Sequence, residues 1–430
     1  MSLPETLTRV RARTIVLWAA LLMLAGCSAK VQPVIAPKVE VKPTPLTEST
    51  GSGEQVSPQT PVLPPADTDP VPAEGPSSTA PEVSDGSAPP PMAPPPPPPA
   101  GGNELFPEPQ WAVVSLTELR SFDAVFAMSD IHGTLKLLTP LLIRAGLILP
   151  TSTDQRYLWA GSNARGRRFL FVIVGDSINK GPDSAAVLLR IKELQDQASS
   201  KGGRVIAVLG NHEAEFLAEP SQCDEEFLDS AKKFPELQRG GKLSCKDLGK
   251  GPLGEFMQSM PVGAVVGTWM FSHSGYFDYD LLKKARTAPQ KQAVAAKFLR
   301  DTTNARAKGD FRTLVDEDRS ILKTHDWWQK HLPECRDTLQ LLGLTGMVVG
   351  HEPGFMGAEG EIAMNKFGWL MKLDAGMNPD REDSKGRVLK CQVGLILPPN
   401  ARGLQMMNAG RPLCSQFGPK QEQAIPVKNL

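Results

Sequence analysis

The chain has 430 residues, 40 of them proline, and its 47 lysines and arginines balance 47 aspartates and glutamates. That neutrality removes the electrostatic case for a nucleic acid or an anionic membrane surface as partner. The length corresponds to one large or two ordinary domains.

Residues 1–27 read as a targeting segment. Arg9, Arg11 and Arg13 precede an apolar run from Ile15 to Gly26, too short to span a bilayer as a mature helix. The run ends Leu24-Ala25-Gly26-Cys27, which resembles the lipobox of bacterial lipoproteins. The resemblance implies a lipid on Cys27, attachment to the membrane through it and, with Ser28 following, an outer-membrane lipoprotein of the bacterial envelope. An ordinary secretory signal, giving a periplasmic protein, is the alternative. Residues 28–105 are dominated by Pro, Ser, Thr, Val and Glu and culminate in Pro89-Pro90-Pro91-Met92-Ala93 followed by six prolines. Such a stretch cannot bury enough apolar surface to fold. It reads as a disordered Pro-rich tether, extended at about 3.1 Å per residue, with recognition through the polyproline run as the other reading.

Export implies an oxidising compartment, so Cys223, Cys245, Cys335, Cys391 and Cys414 can form disulfides with one cysteine left over. Cys223 with Cys245 would close a short loop and Cys391 with Cys414 would lie near the C-terminus. The sequence alone leaves the connectivity open. No CxxC pair occurs, so no cysteine metal site is expected.

A catalytic domain is expected over 106–430. Residues Asp123 to Ser129 are an apolar run of strand formers that ends at Asp130-Ile131-His132-Gly133, before a helical spacing of Leu135, Leu138, Leu141 and Leu142. The pattern recurs: Arg168 to Val174 feeds Gly175-Asp176, with a helix near Ser184 to Gln197, and Arg204 to Leu209 feeds Gly210-Asn211-His212-Glu213. Residues 214–262 break it with charge, glycine and two cysteines and read as an inserted cap. Strands resume at Gly263 to Ser272, before His273, and at Thr345 to Gly350, before His351, with further strands over Gly368 to Asp374 and Val388 to Leu397. Near-continuous apolar runs suit strands buried on both faces, and open α/β sheets place ligands at the carboxyl ends of such strands.

The blocks bring four of the six histidines beside two aspartates and an asparagine. These hard and borderline ligands, without thiolate, suit two divalent ions, with manganese, iron and zinc equally accommodated. An aspartate such as Asp176 can bridge two ions, and a water caught between them loses its proton near neutral pH and can attack phosphorus in line.

The ordered blocks resemble those of the calcineurin-like metallophosphoesterases, and among them the phosphoprotein phosphatases with their bacterial Shewanella-like relatives and the diadenosine tetraphosphatases. Leu373-Asp374-Ala375-Gly376-Met377 is similar to a segment of the Shewanella-like group. The resemblance implies a four-layer α/β/β/α sandwich with an inserted cap region. It implies Asp130, His132 and Asp176 on one metal, Asp176, Asn211, His273 and His351 on the other, and His212 as the general acid. It also implies that Glu213 orients its loop and that Asp374 partners a histidine.

Two departures stand out. The block Gly175-Asp176-Ser177-Ile178-Asn179-Lys180-Gly181 carries Asn and Lys where the family usually has Asp and Arg. Lys180 can grip phosphate only as a point charge, and Asn179 can orient His212 without stabilising its cation, which predicts a lowered His212 pKa. The second phosphate-binding arginine, expected before the last histidine, has Arg319, Lys323 and His325 as candidates. Trp327 and Trp328 read as packing residues, and His331 as a surface or helix histidine.

The expected function is a metal-dependent phosphatase acting on phosphomonoesters, phosphoproteins among them, through a hydroxide activated by two metals. The alternatives are a dinucleotide polyphosphate hydrolase or phosphodiesterase and, in another class, a non-catalytic surface lipoprotein on the same fold.

Overall fold

The computed structural model describes residues 102–151, 157–160, 166–238, 242–316, 319–357, 359–378, 381 and 384–430. The expected signal segment, Cys27 and the tether as far as residue 101 lie outside the described residues, which open with the short helix Gly102–Leu105.

The apolar runs form the strands Ala124–Met128, Phe169–Val174 and Arg204–Val208, paired in parallel so that their carboxyl ends share one edge. They belong to a six-stranded sheet ordered Glu422–Ala424, Cys414–Phe417, Val388–Gln392, Ala124–Met128, Phe169–Val174, Arg204–Val208. A seven-stranded sheet is ordered Trp111–Val114, Gly263–Val266, Trp269–Ser272, Gly346–Val349, Leu370–Lys372, Ala363–Asn365, Val427–Lys428.

Alternation along one strand shows how the layers stack. Leu170, Val172 and Val174 join a core with Val266, Phe271, Val348 and Met371 of the other sheet. Phe169, Phe171 and Ile173 instead join Leu188, Ile191 and Leu194 of helix Ser184–Ser200. Successive side chains of a strand point to opposite faces, so each central strand is apolar throughout because both of its faces are covered. Helices Leu135–Ala145 and Ser184–Ser200 cover the six-stranded sheet, and helix Trp328–Leu341, backed by Ala288–Lys308, covers the seven-stranded one. The result is the α/β/β/α sandwich.

The chain departs from expectation in two places. Residues 263–272 are two antiparallel strands turning at Gly267, whose φ of 60° a glycine adopts freely. The strand expected to reach Leu397 stops at Gln392 and passes into helix Val393–Ile396. Gln392 pairs with Ala124, the first residue of the neighbouring strand, so the ladder there runs out of partners. The 214–262 region consists largely of short helices, which pack on helix Ser184–Ser200 and on helix Asn211–Ala218.

The disulfides are Cys223–Cys245 and Cys391–Cys414, and buried Cys335 is the odd one. Cys391 and Cys414 face one another in register on adjacent strands, 23 residues apart in sequence. Replacing both by alanine frees a loop of that length in the unfolded chain and is expected to cost about 3 kcal/mol. Calorimetry should show Tm falling by roughly 5 °C for a domain of this size; an unchanged Tm would refute the estimate.

Candidate active site

The five ligand-bearing turns leave the carboxyl ends of strands in both sheets and meet where the sheets converge. Gly350 N–H donates to the His273 carbonyl at 2.8 Å, and Asp130 N–H to the Gly175 carbonyl at 3.1 Å. A Cβ on Gly175 (φ 77°) would lie 2.6 Å from both Gly210 Cα and His273 Nδ1, so only glycine lets these turns approach. Asp130, His132, Asp176, Asn179, Lys180 and His351 all hold left-handed backbone, six of the nine described non-glycine residues that do. Each such placement costs of order 1 kcal/mol or more and persists only where the surroundings impose it. Strain is thus concentrated on residues whose side chains must converge.

Asp176 stands at the centre. Its Oδ1 is 3.2 Å from His273 Nε2 and accepts the His212 N–H at 3.1 Å. Its Oδ2 is 3.7 Å from His132 Nε2 and 3.8 Å from His212 Nε2. Asp130 Oδ1 lies 3.8 Å from His132 Nε2, and the Asp130 carboxylate accepts the His351 N–H. Asn211 Oδ1 is 3.2 Å from His273 Nε2. Asp176 is shared by two groups with metal-ligand spacing, one with His132 and His212, the other with His273 and His351.

The donor chemistry fits divalent ions. His132 Nδ1 donates to the Ile178 carbonyl at 3.2 Å, His273 Nδ1 to Val174 at 2.8 Å, and His351 Nε2 to Lys323 at 2.9 Å. Each carbonyl fixes the tautomer and leaves the opposite nitrogen as a lone pair. For His132 and His273 that nitrogen faces the carboxylates. Burial lowers His132 to about 3 and His351 to about 2. Asp130 is pushed well above the usual carboxylate range by burial and by Asp374. His273, although burial opposes it, is raised to about 10 by Asp176 and Asp130. A cluster in which carboxylates repel and the His132 and His351 imidazoles stay neutral is one that a divalent cation relieves. Manganese or zinc at a hundredfold excess over Kd is therefore expected to stabilise the metal-free protein by about 2.7 kcal/mol. Thermal melts with and without chelator check this, and coincident curves would count against metal binding.

Glu213 is fully buried and accepts the N–H groups of Asp176, Ser177, Ile178 and Gly210 at 2.7–3.2 Å. Burial and the Asp176 charge raise it to about 7, against these donors. It welds the second block to the third, which is the orienting role expected of it.

Asn179 Nδ2 is 3.1 Å from His212 Nδ1, while Asn179 Oδ1 is buried without a partner among the described residues. The His212 pKa is lowered, by burial first and with Lys180 adding to it. Lys180 Nζ is 3.3 Å from His132 Nε2.

Of the three candidates for a second phosphate contact, Arg319 turns to Asp278 at 3.8 Å. Lys323 stays at the site, its Nζ 2.9 Å from Glu215 Oε1. His325 lies over the ring of His351, centroids 4.0 Å apart, with its side chain 58% exposed. Trp327 is buried and donates to the Ser274 carbonyl, and Trp328 donates to Glu352. Both are packing residues, as expected. His331 lies within helix Trp328–Leu341, one of the two places expected for it, stacked on Tyr279 at 5.6 Å. Asp374 differs from expectation: its Oδ1 accepts the Gly376 N–H, and the outer nitrogens of His132, His273 and His351 are all taken by backbone carbonyls.

Sequence reasoning missed two supports. Glu215 is 3.5 Å from Asn211 Nδ2 and so turns that amide's oxygen toward His273. The i, i+4 spacing on one helix was the available signal. Glu352 accepts from Asp326 N and Trp328 Nε1 and so holds the turn that carries His325.

A family model for the calcineurin-like phosphoesterase matches residues 124–355. An uncharacterized protein of Schizosaccharomyces pombe is 35% identical over 89 residues, covering 21% of this chain and 24% of that protein. The symmetrical bis(5'-nucleosyl)-tetraphosphatase of Nitrosospira multiformis is 33% identical over 102 residues, 24% of this chain and 28% of that one. Shewanella-like protein phosphatase 2 of Arabidopsis thaliana is 29% identical over 97 residues, 23% and 22% of the two chains. The chain thus spans about a quarter of the length of the curated relatives it matches.

Proposed function

This chain belongs to the calcineurin-like phosphoesterase family and is a phosphate ester hydrolase, and we propose that within that class it hydrolyses phosphomonoesters, phosphoproteins among them, with two divalent metal ions. The observation that carries the reading is the set of three imidazoles, His132 and His273 buried and His351 partly so, each held by a carbonyl in the tautomer a metal ligand needs, around the shared carboxylate of Asp176.

Asp130, His132 and Asp176 hold one ion in this reading, and Asp176, Asn211, His273 and His351 the other. When bound, the ions polarise the phosphoryl oxygens and acidify water. Lys180 binds a phosphoryl oxygen as a point charge, adding the positive charge that a dianionic monoester calls for. Asn179 holds His212, which as the imidazolium passes its Nε2 proton to the leaving oxygen and is left as neutral imidazole. Lys323 and His325 border the same space and supply the contact that an arginine usually makes. The helical stretch 214–262, continuous with the helix that carries Asn211 and His212, limits the substrate's approach. Export and lipid anchoring at Cys27 complete the proposal, resting on the sequence of residues 1–28.

The deciding experiment measures phosphate release by the purified protein, with added manganese or zinc, from an aryl phosphate, a phosphopeptide and a dinucleotide polyphosphate. Metal-dependent turnover of the two monoesters is the expected result. Faster cleavage of the dinucleotide would favour the activity named for the Nitrosospira relative. No turnover with two ions bound would leave the non-catalytic lipoprotein reading.

A further inference from the structure

Away from the site, helix Trp328–Leu341 and the segment from Asn365 to Trp369 border a groove of about 460 Å³. Its walls include Trp328, Pro333, Phe367 and Trp369. Phe367 is 46% exposed, an unusual position for a large apolar ring, with the Arg336 guanidinium 5.8 Å from its centroid. Trp369 is only 6% exposed, and its Nε1 has no hydrogen-bond partner among the described residues. A buried indole N–H without an acceptor is destabilising. Flat aromatic walls beside an unspent donor match one ligand chemistry well: an extended proline-rich segment, whose rings pack on aromatic faces and whose carbonyls make no internal hydrogen bonds.

We propose that this groove binds the first part of the chain's own polyproline run, Pro89 to Pro95. The whole run ends at Pro99, three residues before the first described residue, Gly102. Helix Gly102–Leu105 packs on helix Ala288–Lys308, and Trp111, against which Phe106 packs, donates to Thr303 of that helix. The same helix carries Lys291, which pairs with Asp337 on the groove at 2.8 Å. Twelve residues separate Lys291 from Thr303, or about 18 Å of helix. Crossing about 18 Å takes about six of the 13 residues from Pro89 to Gly101 at about 3.1 Å each, which leaves Pro89 to Pro95 to lie in the groove. A short linker gives an effective concentration near millimolar, so a run with only millimolar affinity as a free peptide is about half docked within its own chain.

Hydrogen exchange on the full chain tests this against a chain in which Pro89, Pro90, Pro91, Pro94 and Pro95 are replaced by serine. Amides of residues 329–337 and 365–370 are expected to exchange about twofold or more slowly in the unaltered chain. Phe367→Ala, at the exposed rim, is expected to abolish the difference, and a peptide of residues 87–101 to restore protection to the serine-replaced chain at millimolar concentration. Equal exchange in the two chains overturns the proposal. So does peptide protection that survives Phe367→Ala, because the run would then bind elsewhere. Protection that disappears on dilution would assign the occupant to a second copy and overturn the intrachain reading.

Discussion

Replacing Asp176 by Asn is expected to lower phosphate release by at least about a thousandfold, some 4 kcal/mol of transition-state stabilisation, and to leave no more than one ion bound. Among the described residues, Asp176 alone belongs to both metal-type groups. Its two oxygens face different histidines, Oδ1 toward His273 and Oδ2 toward His132. An asparagine keeps the volume but has one acceptor oxygen, so it can serve one side at a time. Its N–H would point at a lone-pair nitrogen of whichever histidine it failed to serve. Removal of the Asp176 charge relieves its repulsion on Asp130 and Glu213 and takes away the attraction that raises His273, so folding is measured directly. Metal analysis and a thermal melt of the metal-free variant separate the cases. Two ions retained with activity lost would move the role of Asp176 from holding metal to something else, and unimpaired turnover would end the two-metal reading.

Legibility from sequence followed what kind of force fixed each element. The strands at 124–128, 169–174 and 204–208 were visible because burial on both faces demands unbroken apolar runs. The expected ligand positions stood out because each follows such a run directly. What stayed hidden was set by partners remote in sequence. Gln392 ends its strand because Ala124 begins the neighbouring one, and no local signal at residue 392 records that. The six left-handed residues of the site carry no compositional mark, since the convergence of separate turns imposes their conformation. Asp374 was expected beside a histidine, yet backbone carbonyls of Val174, Ile178 and Lys323 hold the rings; a carbonyl is present at every position, so sequence cannot show which one is used. The choice among Arg319, Lys323 and His325 likewise depended on where Asp278, Glu215 and His351 stand.

Changing His212 to Asn is expected to divide substrates by their leaving groups. Alkyl phosphates such as phosphoserine should lose about 10²–10³-fold in kcat, the range a positioned general acid supplies, and aryl phosphates no more than about tenfold. Asn179 Nδ2 donates toward His212 Nδ1 at 3.1 Å, so the imidazole proton sits on Nε2, the nitrogen that also stands 3.8 Å from Asp176 Oδ2. That proton is placed to reach a leaving oxygen, but only the imidazolium, with Nδ1 protonated as well, gives it up and is left neutral. A second proton on Nδ1 would need the Asn179 amide to rotate and present Oδ1, which is now buried without a partner among the described residues. Even then the amide offers a dipole where a carboxylate would offer a charge. Asn179→Asp should accordingly favour the cationic form, raise turnover of alkyl esters and narrow the gap between the two substrate classes, since a carboxylate at this distance favours an imidazolium by one unit of pKa or more. Equal losses on aryl and alkyl esters in His212→Asn would remove His212 from proton transfer. A gap left unchanged by Asn179→Asp would show that burial, the first cause of the lowered His212 pKa, outweighs the partner's charge.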